Sequence, residues 1–164
     1  MTAKHKDFNT KERIFDVALQ LFAERGYHGV SVRTIVREVG IKESSLYNHY
    51  SSKEALLLAI FHTMDAELSD RILSEETARA LVREHSLEEL LLFLLQRFIS
   101  HWQDPRKERM WFVVSMEQYR RKEAAEIILR ETERSLGNLV RVFQKLIEAG
   151  TIPGWDPEML AIEY

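Results

Sequence analysis

Apolar residues recur at steps of three and four along most of the chain, the spacing of a helix with one buried face. The first clear stripe is Ile14, Phe15, Ala18, Leu21, Phe22 and Ala23. Asn9 or Thr10 opens this helix, and Asn9 with Glu12 three residues on predicts a capping box. Gly26 closes it, as a residue suited to the left-handed cap conformation. Ser31 caps a second helix over Val32–Val39, with Ile35, Val36 and Val39 on its apolar side and Gly40 as its breaker. A third short helix is expected over residues 42–50, carrying Leu46 inward. Ser51 and Ser52 cap a fourth over residues 53–73, with the stripe Leu57, Ile60, Phe61, Met64, Leu68 and Ile72.

The second half continues in the same period. Residues 74–85 are polar and read as a loop or a frayed extension. Ser86 caps a helix through Trp102, and residues 90–95 are apolar all round, which predicts burial on most faces. Pro105 suits the first turn of a helix to about Arg121. A long helix follows over residues 122–149, ended by Gly150. Pro153, Gly154 and Pro157 mark a loop, and a last helix starts at Pro157.

Composition narrows the class. Six Gly and three Pro are too few for the turns of a sandwich or barrel, and neither occurs between Ile41 and Asp104. The expectation is an all-α chain. There is no Cys, which removes disulfides and thiolate metal sites. No apolar run approaches the ~20 residues needed to span a bilayer. Residues 1–7 have no apolar stretch, so no secretory signal is expected, and a cytoplasmic protein without membrane attachment follows. Charge is uneven. Residues 1–63 hold nine Lys/Arg against seven Asp/Glu, and residues 64–164 hold 14 against 19. That division permits nucleic-acid contact by the first part and disfavours it for the rest.

The stretch 31–50 reads SVRTIVREVGIKESSLYNHY: short helix, Gly turn, short helix. Ile35, Val39, Ile41 and Leu46 are placed inward against Ala18, Leu21 and Phe22. A helix this short holds only when docked, and docking leaves its other side free. That side offers Glu43, Ser44, Ser45, Tyr47, Asn48 and His49, hydrogen-bonding groups suited to base edges in a major groove.

Residues 10–58 resemble the N-terminal DNA-binding domain of TetR-family transcriptional regulators. The resemblance is carried by LFAERGY at 21–27, SVRTI at 31–35, VGI at 39–41, SLYNHY at 45–50 and SKEALL at 52–57. It implies an all-α fold with a three-helix helix-turn-helix domain over residues 1–52. A helical regulatory domain over residues 53–164 would bind ligand and dimerise; since family members continue with further helix across the dimer axis, it is expected to be C-terminally incomplete or to dimerise through another surface. It further implies a homodimeric repressor on a palindromic operator in double-stranded DNA. A small hydrophobic effector would shift the fourth helix, change the spacing of the two reading heads and release the operator.

Site residues follow from the same resemblance and from side-chain chemistry. Tyr47 matches a position that contacts phosphate, the alternative being a half-buried packing role. Arg33 matches one that reaches phosphate or guanine, and Arg37 shares its face or pairs with a neighbouring Glu. Lys53, at a helix start, suits phosphate. Ser44, Ser45 and Asn48 are groove readers, although either Ser also suits a cap. His49 bonds phosphate or braces the turn. Thr34 and Lys42 complete the set. Two positions depart from the family: Lys42 stands where many relatives carry a capping Ser or Thr, and Glu43 where many carry Lys or a neutral residue. Glu43 is expected to set a cytosine preference, as acceptor from its amino group. Lys4, His5 and Lys6 form a basic arm or a disordered end.

In the second half, Phe61, Met64, Phe93, Trp102, Trp111, Met116 and Tyr119, with Arg97 and Ser115 as polar groups, are expected to line an adaptable apolar cavity. The same residues also suit any helical core. Catalysis is not expected. None of the six His has Glu three residues before it, and no His-Glu-x-x-His, phosphate loop or Gly-x-Ser-x-Gly occurs. Neither cofactor nor metal is expected.

Overall fold

The computed structural model describes residues 3–69 and 72–164; for residues 3–9, Phe98, His101 and Trp102 it describes the backbone only. The described residues form nine helices and no strand: α1 (Ala3–Arg25), α2 (Val32–Val39), α3 (Glu43–Tyr47), α4 (Lys53–Ser69), α5 (Glu75–Glu84), α6 (Leu87–Trp102), α7 (Pro105–Glu117), α8 (Lys122–Glu148) and α9 (Pro157–Glu163). Two compact units result. The first comprises the described residues up to Ala66 together with Pro105–Ile127, and the second comprises Glu67–Asp104 with Ile128–Tyr164.

In the first unit, α1, α2 and α3 close on one another through Ile14, Ala18, Leu21, Phe22, Ile35, Val39 and Leu46, all buried. Ile41 is only partly covered. Gly40 holds φ 77°, which lets its N–H and that of Ile41 both bond the Val36 carbonyl and turn the chain into α3. α7 packs along α1. Arg106 on α7 bonds Asp16 at 2.9 Å and lies over the Phe15 ring.

The second unit has its own core of Leu73, Ala78, Leu90, Val142, Phe143, Leu146 and Ala161. Asn138 Oδ1 accepts from the Leu73 N–H, and Lys145 bonds Glu75 and Glu148, tying α5 to α8. The Tyr164 hydroxyl donates to the Leu91 carbonyl.

Several element boundaries differ from expectation. α1 begins at Ala3 and runs through Asn9 without a cap there, because residues 3–8 hold no Gly or Pro to stop it. Lys4, His5 and Lys6 lie in this helix, with side chains outside the described residues. α3 spans five residues, not nine. The His49 and Tyr50 N–H groups both fold back on the Leu46 carbonyl, which ends it. α4 is described as far as Ser69, and Ile72, expected on its inward stripe, lies outside it and is 56% exposed. Residues expected as loop form α5, capped by Ser74 and anchored by buried Ala78. Within α6, Leu90 is buried, while Leu92, Phe93 and Leu95 are exposed, because a helix packed on one side leaves the rest of an all-apolar run uncovered.

Candidate nucleic-acid interface

Local chemistry builds the α2–α3 pair. Ser31 Oγ accepts from the Thr34 N–H and meets the Thr34 hydroxyl at 2.9 Å, fixing the start of α2. Arg13 on α1 donates to the Val39 carbonyl at 2.8 Å, satisfying one of the orphan carbonyls at the end of α2. Lys42 occupies the cap position of α3 and makes no side-chain cap bond. Glu43 supplies negative charge in the first turn instead, where the helix dipole favours it. Leu46 is fully buried and pins α3.

The opposite side of α3 faces outward. Ser44, Tyr47 and Asn48 are exposed, with Tyr47 at 48%, while Glu43, Ser45 and His49 are partly covered. Arg33 is exposed on α2, and its Nε donates to Glu43 Oε1 at 3.3 Å. Glu43 and Arg33 therefore form one ion-paired unit across the two helices. Arg37 is exposed as well. Thr34 is partly covered and engaged with Ser31.

Lys53 stands at the start of α4, as expected, and is engaged within the domain. Its ammonium donates to the Tyr27 and Val30 carbonyls at 2.9 and 2.8 Å and sits 4.0 Å from the centre of the Tyr27 ring. Two of its three N–H groups are thus spent inside the domain. Burial lowers its pKa from the usual Lys value, the nearby Arg121 charge lowers it further, and Glu117 partly offsets both. Ser52 meets its expectation, accepting from the Ala55 N–H.

The residues expected to line a cavity are divided between the two units. Phe61 and Met64 are fully buried in the core of the first unit, where α4 packs them solidly. Trp111, Ser115, Met116 and Tyr119 also belong to the first unit; Tyr119 is 88% exposed. Phe93 and Arg97 belong to the second, and the Trp102 side chain lies outside the described residues. The second unit does contain a groove of about 340 Å³, lined by Leu73, Leu94, Leu95, Leu139 and Tyr164 with Arg97, Ser135 and Asn138. Arg97 alone of the expected set lines it. The others were missed because they approach from four separate segments.

Comparison with known proteins bears on the interface. A family model for bacterial regulatory proteins of the tetR family matches residues 14–60. Residues 14–60 are thus similar to the regulatory-protein domain of the tetR family. It is 41% identical over 51 residues to the HTH-type transcriptional regulator UidR of Escherichia coli (strain K12), an alignment covering 31% of this chain and 26% of UidR. It is 46% identical over 46 residues to IcaR of Staphylococcus epidermidis, the negative transcriptional regulator of the icaADBC biofilm operon, covering 28% of this chain and 25% of IcaR. The match thus spans about a quarter of these relatives, which are regulators rather than enzymes.

Solved TetR-type structures share the fold over nearly the whole chain. A TetR-family regulator from Mesorhizobium loti superposes with a TM-score of 0.66 at 24% identity, covering 95% of this chain and 77% of that one. AibR, solved in complex with isovaleryl coenzyme A and operator DNA, superposes at 0.62 with 20% identity over 94% of this chain and 80% of its own. Among the described residues no helix is long and apolar enough to cross a membrane, and no cluster of His, Asp or Glu could hold a metal.

Proposed function

We propose that this protein is a transcriptional repressor that binds a palindromic operator as a homodimer. Each subunit lays α3 in a major groove, and a small hydrophobic effector releases the complex. The observation that carries this reading is the outward polar face of α3, Ser44, Tyr47 and Asn48, on a helix held by one fully buried residue, Leu46. Two-fold symmetry of operator and protein matches the way helix-turn-helix dimers take half-sites one turn apart. IcaR, a negative regulator, supports repression. AibR, which holds a coenzyme A thioester and operator DNA, supports an effector.

Residues 1–52 form the reading domain and residues 53–164 the regulatory one. Asn48 pairs with adenine, and Ser44 and Ser45 read neighbouring edges. Tyr47, His49, Lys42 and Thr34 meet phosphate, as does the remaining N–H of Lys53. Arg33 approaches guanine, and Glu43 accepts from cytosine through the oxygen that Arg33 leaves open. Replacing Glu43 by Gln is expected to relax one cytosine preference; unchanged preferences at every position would reject that role. The effector enters the groove beside Arg97 and Leu139. Its binding shifts α4, which continues from one unit into the other, and so alters the spacing of the two α3 helices. The protein is a cytoplasmic one without membrane attachment.

Selection of binding sites from random duplex DNA with the full chain tests the reading. Enrichment of an inverted repeat, with release by an apolar compound, is the expected result. Absence of any enriched site at low salt would overturn it.

A further inference from the structure

One side-chain cluster in the first unit lies outside residues 14–60 in part, and of its members the reading above uses Lys53 alone. Arg121 sits between α7 and α8. Its Nη1 bonds Glu54 Oε1 at 2.8 Å and its Nε bonds Glu117 Oε2 at 3.2 Å. Glu117 is 3% exposed, a buried carboxylate that needs a cation. The Arg121 guanidinium also lies 4.9 Å from the Tyr27 ring centre, against the same ring that Lys53 covers. Lys53+, Arg121+, Glu54− and Glu117− make a neutral group around one aromatic ring.

The positions of the two cations are linked. Lys53 feels both the repulsion of Arg121 and the attraction of Glu117. With Arg121 in place, Glu117 is already satisfied, and the Lys53 ammonium stays on the Tyr27 and Val30 carbonyls. Those carbonyls belong to the turn between α1 and α2. Tyr27 edges onto buried Phe22, and Val30 is itself buried one residue before the Ser31 cap. The turn therefore fixes where α2 starts and how the α2–α3 pair is presented. Without Arg121, the buried Glu117 carboxylate would draw Lys53 off the turn.

We propose that Arg121 is a positioning residue for DNA recognition: by holding Glu117 and Glu54, it leaves Lys53 to brace the turn that presents α2 and α3. This rests on the DNA-binding reading above. A residue of the regulatory half thereby sets the geometry of the reading head.

The test measures, with the full chain, affinity for a duplex selected by the wild type and for an unrelated duplex of equal length. Arg121→Met is expected to weaken the selected duplex about tenfold and the unrelated one only about twofold to threefold, since the one phosphate contact disturbed is that of Lys53. Adding Glu117→Gln removes the orphaned carboxylate and is expected to restore the selected duplex to within about threefold of wild type. Arg121→Lys keeps the charge and is expected to lose about threefold; it carries the same readout if Arg121→Met does not fold. Amide exchange at Gly29 and Val30 is expected to quicken in Arg121→Met and to recover in the double variant, whether or not the wild type binds DNA. An unchanged ratio of selected to unrelated affinity, a parallel fall in both with the melting temperature, or a double variant no better than the single would overturn the proposal. A wild type that binds no duplex would sink the function above, while exchange at the turn still decides the role of Arg121.

Discussion

At Gly29 a side chain has no room: an added Cβ would meet the Arg25 carbonyl oxygen, which is backbone and cannot step aside. Gly29→Ala is therefore expected to cost about 1–3 kcal/mol of stability, read as a lowered denaturant midpoint; an unchanged midpoint would contradict the packing of this turn. The sequence marks this residue only as part of a short connection. It marks others well. Ser31, Gly40 and Leu46 are legible because their roles are set by neighbours within a few positions: a cap, a left-handed turn, a single apolar residue on a polar helix. Arg13, Lys53 and Arg121 are not, because their partners lie 26, 23 and 67 residues away, at Val39, Val30 and Glu54. A charged residue on an exposed-looking turn carries no local sign that it will reach back to a carbonyl. At Tyr47 the prediction is electrostatic. Tyr47→Ala is expected to weaken all duplexes alike, by roughly 1 kcal/mol, with no change in base preference.

Short helices here are held by caps and single anchors. Leu46 is the only fully buried residue of α3, so Leu46→Ala is expected to cost about 2–5 kcal/mol and to abolish DNA binding, measurable by thermal melting and by titration. A melting temperature equal to wild type would mean α3 is held by something else. α6 begins with a full capping box: Ser86 Oγ accepts from the Glu89 N–H, and the Glu89 carboxylate accepts from the Ser86 N–H and hydroxyl. Those two bonds lower the Glu89 pKa below the usual 4.5. Its contribution is therefore present above the unfolded value and is lost as pH falls through the lower folded value. Glu89→Gln is expected to flatten the acid limb of the stability curve; an identical limb would show the box to be immaterial. The sequence revealed the Ser86 cap but not the fate of residues 90–95. All-apolar composition says a run can be buried, and only the packing of neighbours says which side is covered. The polar residues 74–85 show the converse: a Ser74 cap, buried Ala78 and the packing of Leu81 and Val82 hold α5.

For the molecule as a whole, the all-α class was legible from the scarcity of Gly and Pro, and the likeness of residues 14–60 to tetR-type regulators from five spaced motifs. The groove beside Arg97 was not. Its lining comes from residues 73, 94–97, 135–139 and 164, which no periodicity brings together, and large apolar residues such as Phe61 and Met64 turned out to be core. The excess of positive charge in residues 1–63 is small, so affinity is expected to fall with salt at a slope set by a few phosphate contacts rather than by a broad basic field. The central claim is narrower: the outward face of α3 reads bases. Its most direct measurement is the full base-preference profile of the selected operator, taken with wild type and with Asn48→Ala. The account predicts loss of preference at one position in each half-site, with the rest intact. Identical profiles for the two proteins would contradict it.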